Sequence, residues 1–329
     1  MAMRKAVDAR ATLLMIVLCL IWSFQQVAIK LTAADAAPIL QVALRSGAAA
    51  VLVWLYGRVV ARDRWLRGGI LPGALAVSLL FAAEFLLVAQ GLARTSASHV
   101  VVFLYTAPMF AALGLHLRLP DERLSRLQWS GLALAFLGIA LAFLVPSLTG
   151  GGGSGGGHGI ASWMLGDLLA LAGGAAWGLT TVVVRVSRMS EAPATQTLFY
   201  QLSGAFAILL PASWLFGEAH FHGSPALWAS LAFQTLFVCF ASFLIWFAML
   251  RRYLAARLGV LSFMTPIFGV AWGVLLLDEH PGAAFMAGAA LVMAGLVIVN
   301  GEAWIAPWLA RLARAVRPGA NGPRDARPS

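Results

Sequence analysis

Two stretches of thirty residues share one pattern: FAAEFLLVAQGLARTSASHVVVFLYTAPMF at residues 81–110 and CFASFLIWFAMLRRYLAARLGVLSFMTPIF at residues 239–268. At an offset of 158 residues, nine of the thirty aligned positions are identical. One identical pair is a proline near the end of each stretch, Pro108 and Pro266. Both stretches are long and apolar, so they indicate a duplicated unit built from helices.

The whole chain is nearly as apolar as these two stretches. Of its 329 residues, 61% are hydrophobic and only 11% are charged, and its mean hydropathy is +0.85. A membrane-spanning helix needs roughly 20 apolar residues, and so few charges exclude an ordinary soluble globular protein. The candidate helices are residues 11–31, 38–57, 70–93, 97–117, 127–146, 163–184, 195–216, 226–250, 257–277 and 282–300.

The repeat extends beyond the two opening stretches. At an offset of 157 residues, Asp121 matches Asp278, Glu122 matches Glu279, Gly131 matches Gly288 and Gly138 matches Gly295. At an offset of 155 residues, Trp22 matches Trp177 and Lys30 matches Arg185. Because each half holds five helices, an odd number, the second half enters the membrane upside down, as in many secondary transporters. We therefore predict an all-α integral membrane protein with ten transmembrane helices, arranged as two inverted five-helix repeats at residues 11–146 and 163–300.

The positive charge is unevenly distributed between the loops. The formal charge is +10, and twenty of the 23 Lys and Arg residues fall on one predicted side of the membrane. The other side has only Lys30 and Arg94, and Arg45 lies inside a span. The positive-inside rule then predicts that both termini are cytoplasmic. We interpret the charge as a topology signal and predict no nucleic-acid partner.

Three segments lie outside the predicted repeats. Residues 1–10 form the predicted cytoplasmic N-terminus, and residues 147–162 are a predicted glycine-rich periplasmic linker. Residues 301–329 begin with Trp and Leu spaced between arginines, which predicts an interfacial amphipathic helix. The last dozen residues, rich in Pro, Gly and Arg, predict a disordered tail.

Two ionisable residues lie deep inside predicted spans, Arg45 and Glu84. Such a residue costs several kcal/mol unless it faces partners or a water-filled cavity. The side chains predicted at a similar depth are Gln25, Gln26 and Tyr105. One interpretation is a substrate site, in which Arg45 binds a carboxylate and Glu84 is the proton-coupling residue. The alternative is a buried ion pair that fixes helix packing.

The other candidates for substrate binding are less polar: Trp22, Trp177, Thr181, Tyr200, Gln201 and Ser242. Each has a structural alternative, because membrane Ser and Thr often bond their own backbone and an interior Trp often only packs. Pro108 and Pro266 predict bends inside their helices, which are either gating hinges or static kinks.

Enzyme signatures are missing from the sequence. It contains no phosphate-binding loop with Lys and no HExxH pattern. The cysteines, Cys19 and Cys239, lie in apolar stretches and are predicted to be core residues, so neither a catalytic nor a metal site is predicted.

These features together resemble a known family. The tandem halves, the matched pairs Trp22/Trp177 and Pro108/Pro266, and the acidic turns Pro120-Asp121-Glu122 and Asp278-Glu279-His280-Pro281 are similar to those of EamA-type members of the drug/metabolite transporter superfamily. The resemblance implies a permease of the bacterial inner membrane, often an exporter of amino acids or related metabolites, without a cofactor. The chain departs from the family at His116 and Arg118, where such proteins are usually apolar.

The resulting hypothesis is a secondary active exporter of a small metabolite such as an amino acid. It would work by alternating access, with possible proton coupling through Glu84. Its partners would be the small-molecule substrate and the lipid bilayer, and it would be a monomer or a homodimer. Two alternatives remain open: a lipid-linked or nucleotide-sugar carrier or flippase, and a non-transporting membrane scaffold.

Overall fold

The computed structural model describes residues 8–149, 160–253 and 255–316. In chain order the helices are α1 (Ala9–Leu31), α2 (Pro38–Leu55), α3 (Leu71–Leu92), α4 (Ala97–Leu104), α5 (Ala107–Arg118), α6 (Arg126–Thr149), α7 (Ile160–Val186), α8 (Ala194–Leu215), α9 (Pro225–Ala232), α10 (Phe243–Arg252), α11 (Ala255–Ser262), α12 (Met264–Leu277) and α13 (Ala283–Val316). Within this part of the chain there is no β-strand, which agrees with the predicted all-α class.

Nine segments of the described chain are long and apolar enough to cross a membrane. They coincide with nine of the ten predicted helices. The predicted helix at 127–146 corresponds to α6, whose apolar stretch Arg126–Ala142 is shorter than the other nine. A tenth span at α6 therefore stays a prediction.

Two predicted helices, at 97–117 and 257–277, are each divided in two. The first becomes α4 and α5, and the second becomes α11 and α12. Pro108 and Pro266 lie in the first turns of α5 and α12. Proline lacks an N–H group and clashes with the carbonyl four residues earlier, so the helix breaks just before it. Each segment still forms one candidate span, Ala97–Arg118 and Leu258–Leu277, with an interruption before its proline, and the hinge role stays a prediction.

The predicted eighth helix, at 226–250, is not a regular α-helix either. Between α9 and α10 it contains a π-helical segment, Phe233–Ser242. Such wider turns change which side chains face the neighbouring helices, and they are frequent at functional sites.

The last helix is longer than its predicted range of 282–300. It continues through the predicted amphipathic segment as one helix of 34 residues, α13, with Pro307 inside it. The predicted glycine-rich linker lies mostly outside the described residues, as do residues 1–7 and 317–329.

The start of the first helix is capped by Asp8. Its carboxylate accepts a hydrogen bond from the backbone N–H of Ala11 at 2.8 Å and one from the Tyr253 hydroxyl at 3.2 Å. The Ala11 bond favours the charged form and holds the pKa of Asp8 below its usual range. The Tyr253 bond joins α1 to the segment that follows α10.

The core lies between the two halves of the chain. Helices of the first half pack against helices of the second in the pairs α2 with α8, α3 with α7, α4 with α12, and α6 with α13. The largest cluster of buried side chains accordingly contains residues of both halves, such as Phe103 and Leu202. Folding of either half therefore buries its apolar faces against the other.

Glycines allow α6 and α13 to touch backbone to backbone. A Cβ added to Gly131 would lie 2.8 Å from the carbonyl oxygen of Gly295, and one on Gly138 would lie 2.5 Å from that of Gly288. Gly131, the earlier glycine of α6, meets the later glycine Gly295, and Gly138 meets the earlier glycine Gly288, so the helices are antiparallel. Small residues at such crossings permit close packing of membrane helices.

Replacing Gly138 with Ala should therefore destabilise the protein, although Ala favours a helix by about 1 kcal/mol over Gly. The new methyl group would overlap the Gly288 carbonyl, and overpacking of this kind costs about 1–3 kcal/mol, enough to reverse the sign. Thermal unfolding in detergent measures the effect. Gly259→Ala is the matched control, because Gly259 lies inside α11 and nothing lies within 4 Å of its added Cβ. Equal unfolding midpoints for the two variants would contradict the prediction.

Candidate functional site

Arg45 lies on α2 with only 1% of its surface exposed. Its Nη1 donates to Oε1 of Gln234 at 3.4 Å, and its guanidinium carbon lies 4.6 Å from the ring centroid of Phe85. Its Nε has no hydrogen-bond partner among the described residues. A guanidinium has five N–H donors, and leaving most of them unbonded in a dry interior is costly. Arg45 therefore has spare capacity to bind an anion.

Glu84 faces the same interior from α3 and is 4% exposed. Its Oε2 has no hydrogen-bond partner in the described part of the chain. The two charged groups interact electrostatically, yet none of their N and O atoms approach within 4.0 Å to form an ion pair. The structure therefore does not show the buried ion pair that was the alternative interpretation of Arg45 and Glu84.

Tyr105 connects this region to the seventh helix. It lies in the break between α4 and α5 and is buried. Its ring packs edge to face against Trp177 of α7, with 5.3 Å between the ring centroids. The break before Pro108 therefore places an aromatic hydroxyl between the charged pair and α7.

Trp22 and Ser242 meet across the two halves. The indole N–H of Trp22 donates to the Ser242 hydroxyl at 2.8 Å, and its ring packs against Trp246 at 5.6 Å. Ser242 occupies the position that matches Glu84 in the repeat. The two halves therefore place different groups at equivalent positions, a carboxyl in the first and a hydroxyl in the second.

A cavity of about 580 Å³ lies between α5, α6, α7 and α13. Its polar lining includes Glu122, Arg123 and Gln128, and its apolar lining includes Trp177 and Pro108. Because Trp177 lines the cavity and also contacts Tyr105, this cavity adjoins the region of Arg45 and Glu84. Its volume falls in the range of small-molecule sites.

Two of the predicted glutamines are buried on α1. Gln25 and Gln26 are almost inaccessible, and Oε1 of Gln26 has no partner among the described residues. Thr181 lines the cavity, but its hydroxyl donates to the backbone carbonyl of Trp177 at 3.4 Å, as membrane threonines often do.

Tyr200 and Gln201 lie on α8, and both are half-buried. The Tyr200 ring packs near Trp65 and Phe199, with centroid distances of 6.4 and 5.9 Å. This aromatic group is separate from the contacts of Arg45, so the structure does not bring Tyr200 together with the charged pair.

A buried glutamine pair was missing from the predicted site. Gln234, in the π-helical segment, accepts from Arg45 and donates to Oε1 of Gln41 at 3.1 Å and to the Ser230 hydroxyl at 2.9 Å. Both glutamines are fully buried. The signal was present in the sequence, because Gln41 and Gln234 interrupt apolar runs in the same way as Gln25 does.

A buried histidine and aspartate were also missing. Nδ1 of His99 lies 2.8 Å from Oδ2 of Asp167, and the Thr95 hydroxyl donates to Oδ1 of Asp167 at 2.6 Å. The His99 ring stacks on Phe285, with 3.7 Å between centroids. Both ionisable residues lie near the starts of their predicted helices, where a charged residue is common. For this reason the sequence did not mark them as candidates for the site.

A family model provides the identification. The model of the EamA-like transporter family matches the chain twice, over residues 9–144 and 164–301. The chain belongs to this family. The two matches coincide with the predicted halves at 11–146 and 163–300, so the protein is a multi-pass membrane transporter of the EamA type. His116, where the chain departs from the usual family pattern, accepts the backbone N–H of Leu124 at 2.9 Å and holds the turn that contains Glu122.

Several known proteins are similar to this EamA-type chain. It is 28% identical over 309 residues to an uncharacterized transporter of Synechocystis, covering 89% of this chain and 90% of that protein. It is 32% identical over 186 residues to a probable amino-acid metabolite efflux pump of Salmonella typhimurium, covering 54% of this chain and 59% of that protein. A crystal structure with 21% identity covers 93% of this chain and 99% of its own, with a TM-score of 0.62, which shows a shared fold.

Proposed function

We propose that this protein is a secondary active exporter of a small carboxylate-bearing metabolite such as an amino acid. The observation that carries the proposal is the pair of buried, unpaired charged groups on Arg45 and Glu84. An uncompensated buried charge is strongly destabilising, so its presence is best explained by a ligand that supplies the missing partner. The similarity to efflux pumps named for amino-acid metabolites supports the same substrate class.

The proposed cycle uses two inverted five-helix repeats with ten spans in all. Support comes from the crossing of α6 and α13, where Gly131 meets Gly295 and Gly138 meets Gly288. In the repeat, Gly131 corresponds to Gly288 and Gly138 to Gly295. A two-fold rotation that exchanges the two halves therefore places each of these glycine contacts on the other one. Because α6 and α13 are antiparallel, the axis of that rotation is perpendicular to both helices. Such an axis lies in the membrane plane, as inverted repeats require.

The proposed orientation has both termini in the cytoplasm of a bacterial cell, with the protein in the inner membrane. The excess of Arg and Lys at that end supports it. Glu122 and Arg123 then lie at the cytoplasmic end, and the cavity that they line would receive substrate from the cytoplasm. This direction of access suits export.

Each buried residue then has a proposed role. A substrate that enters the cavity contacts Trp177, passes Tyr105 and places its carboxylate on Arg45 through charge-assisted hydrogen bonds. Glu84 exchanges a proton for the substrate. Bending at the breaks before Pro108 and Pro266 opens the site to one side at a time.

Growth of cells with and without the protein tests the substrate class. We expect resistance to toxic amino-acid analogues that carry a carboxylate, and no resistance to simple amines, because Arg45 repels cations. A compound that gives resistance should then show saturable counterflow in proteoliposomes. Resistance to amines alone, or transport of lipid-linked sugars alone, would overturn the proposed substrate class.

A further inference from the structure

The predicted outer end of the bundle contains a buried carboxylate with an unusually complete set of partners. Glu279, in the turn between α12 and α13, is 4% exposed. It accepts the backbone N–H groups of Ala97 and Ser98 at 2.7 and 3.0 Å, and the Ser98 hydroxyl at 2.6 Å. Lys30 lies 3.4 Å from it. Glu279 therefore belongs to the second half and binds the N-terminus of α4 in the first half, where the helix dipole favours an anion.

A second carboxylate holds the same turn of α4. His99, one residue beyond Ser98, contacts Asp167 of α7, and the Thr95 hydroxyl donates to the same carboxylate. Asp167 is fully buried and also belongs to the second half. The first turn of α4 is thus bound by two acidic residues of the other half. We name Glu279, Asp167 and this turn the outer gate.

At the cytoplasmic end the repeat predicts an ion pair equivalent to that of Glu279 and Lys30. Glu122, the match of Glu279, forms an ion pair with Arg185 at 2.9 Å, and Arg185 is the match of Lys30. The Glu122 and Arg185 side chains are 30% and 63% exposed. Exposed ion pairs contribute little to stability. The two ends of the protein are therefore chemically equivalent but unequal in burial.

The hydrogen bond between Tyr253 and Asp8 is also less buried than its counterpart at the outer end. Tyr253 matches Thr95 in the repeat. The Tyr253 hydroxyl donates a hydrogen bond to Asp8 at the start of α1, and the Thr95 hydroxyl donates one to Asp167 of α7. The Thr95 contact is buried, whereas the Tyr253 contact is only partly buried.

We propose that Glu279 and Asp167 are the positioning residues that keep the outer end closed. This inference rests on the proposed inverted orientation, but it goes beyond the proposed substrate site. Opening the outer end would separate two buried carboxylates from backbone and side-chain donors, and water would have to replace those donors. The Glu122–Arg185 ion pair at the cytoplasmic end is already reached by water.

The two native cysteines can report which end is open. Cys19 and Cys239 are both buried, and Cys239 lies in the π-helical segment that also contains Gln234, the hydrogen-bond partner of Arg45. In a Cys19→Ala background, a membrane-impermeant maleimide added to right-side-out vesicles labels Cys239 only when the outer end opens. We expect Glu279→Gln to increase the outside labelling rate at least tenfold, and Asp167→Asn to increase it as well. The isosteric amides keep the side-chain shape but lose the charge that binds the α4 donors.

Glu122→Gln is the matched control, because it makes the same change at the equivalent position of the other end. We expect it to leave outside labelling unchanged. Each variant is used only where it elutes from size-exclusion chromatography as the unmodified protein does, and Asp167→Asn provides the test if Glu279→Gln does not fold. Unchanged outside labelling in the folded variant, or equal effects of Glu279→Gln and Glu122→Gln on outside labelling, would overturn the proposal. No substrate is needed, so failure of the substrate screen would leave this result unaffected.

Discussion

A transporter with Glu84→Gln is expected to exchange substrate across the membrane but to lose accumulation driven by a pH gradient. Glu84 is buried and its Oε2 has no hydrogen-bond partner among the described residues, so it is placed to gain and release a proton as access alternates. A gradient of one pH unit stores about 1.4 kcal/mol per proton, which supports a roughly tenfold substrate gradient. The amide has the shape of the protonated acid but cannot release a proton.

The measurement uses proteoliposomes and a substrate identified by the growth screen. Counterflow should persist in Glu84→Gln, whereas accumulation under the pH gradient should fall from roughly tenfold to no accumulation. Glu191→Gln is the matched control, because Glu191 is exposed and forms only an exposed ion pair with Arg188. If Glu84→Gln still accumulates substrate as the unmodified protein does, Glu84 is not the coupling residue.

The sequence was sufficient to predict the nine apolar spans of the described chain, because apolar runs are local patterns. Apolar runs locate the spans, and the proline pair Pro108 and Pro266 aligns the halves. The proline positions also indicated bends, although their sequence could not show that each helix is fully divided before the proline. That outcome depends on the neighbouring helices, which supply the packing that a broken helix requires.

The contacts of the site could not be predicted in the same way. Arg45 bonds Gln234, which lies 189 residues away along the chain. The depth of Arg45 could be estimated from helix length, but the direction in which a side chain points around a helix that is apolar on all sides could not. For the same reason Glu279 was identified only as part of an acidic turn, and its contact with α4 came from the tertiary structure.

Arg45→Met is expected to abolish transport and, at the same time, to make the protein more stable. The Arg45 guanidinium is 1% exposed, has no ion-pair partner in the described part of the chain, and makes one long hydrogen bond. Replacing an unpaired buried charge with an apolar side chain of similar size removes its desolvation penalty, which is several kcal/mol per ion. Loss of two charge-assisted bonds to the substrate carboxylate, at about 1.5–3 kcal/mol each, should lower transport at least 100-fold. If Arg45 served only in helix packing, Arg45→Met would lower the stability of the protein instead.

Thermal unfolding in detergent and counterflow, measured on the same preparation, separate these two roles. Gln234→Leu is the companion variant, because it removes the one hydrogen bond of Arg45 and leaves the charge in place. It should lower stability by about 1–3 kcal/mol, since a buried donor loses its partner, while Arg45 can still bind a carboxylate. Opposite signs of the stability change in the two variants would indicate that Arg45 is retained for binding at a cost in stability. If Arg45→Met instead unfolds at a lower temperature than the unmodified protein, Arg45 is a structural residue and the carboxylate site must lie elsewhere.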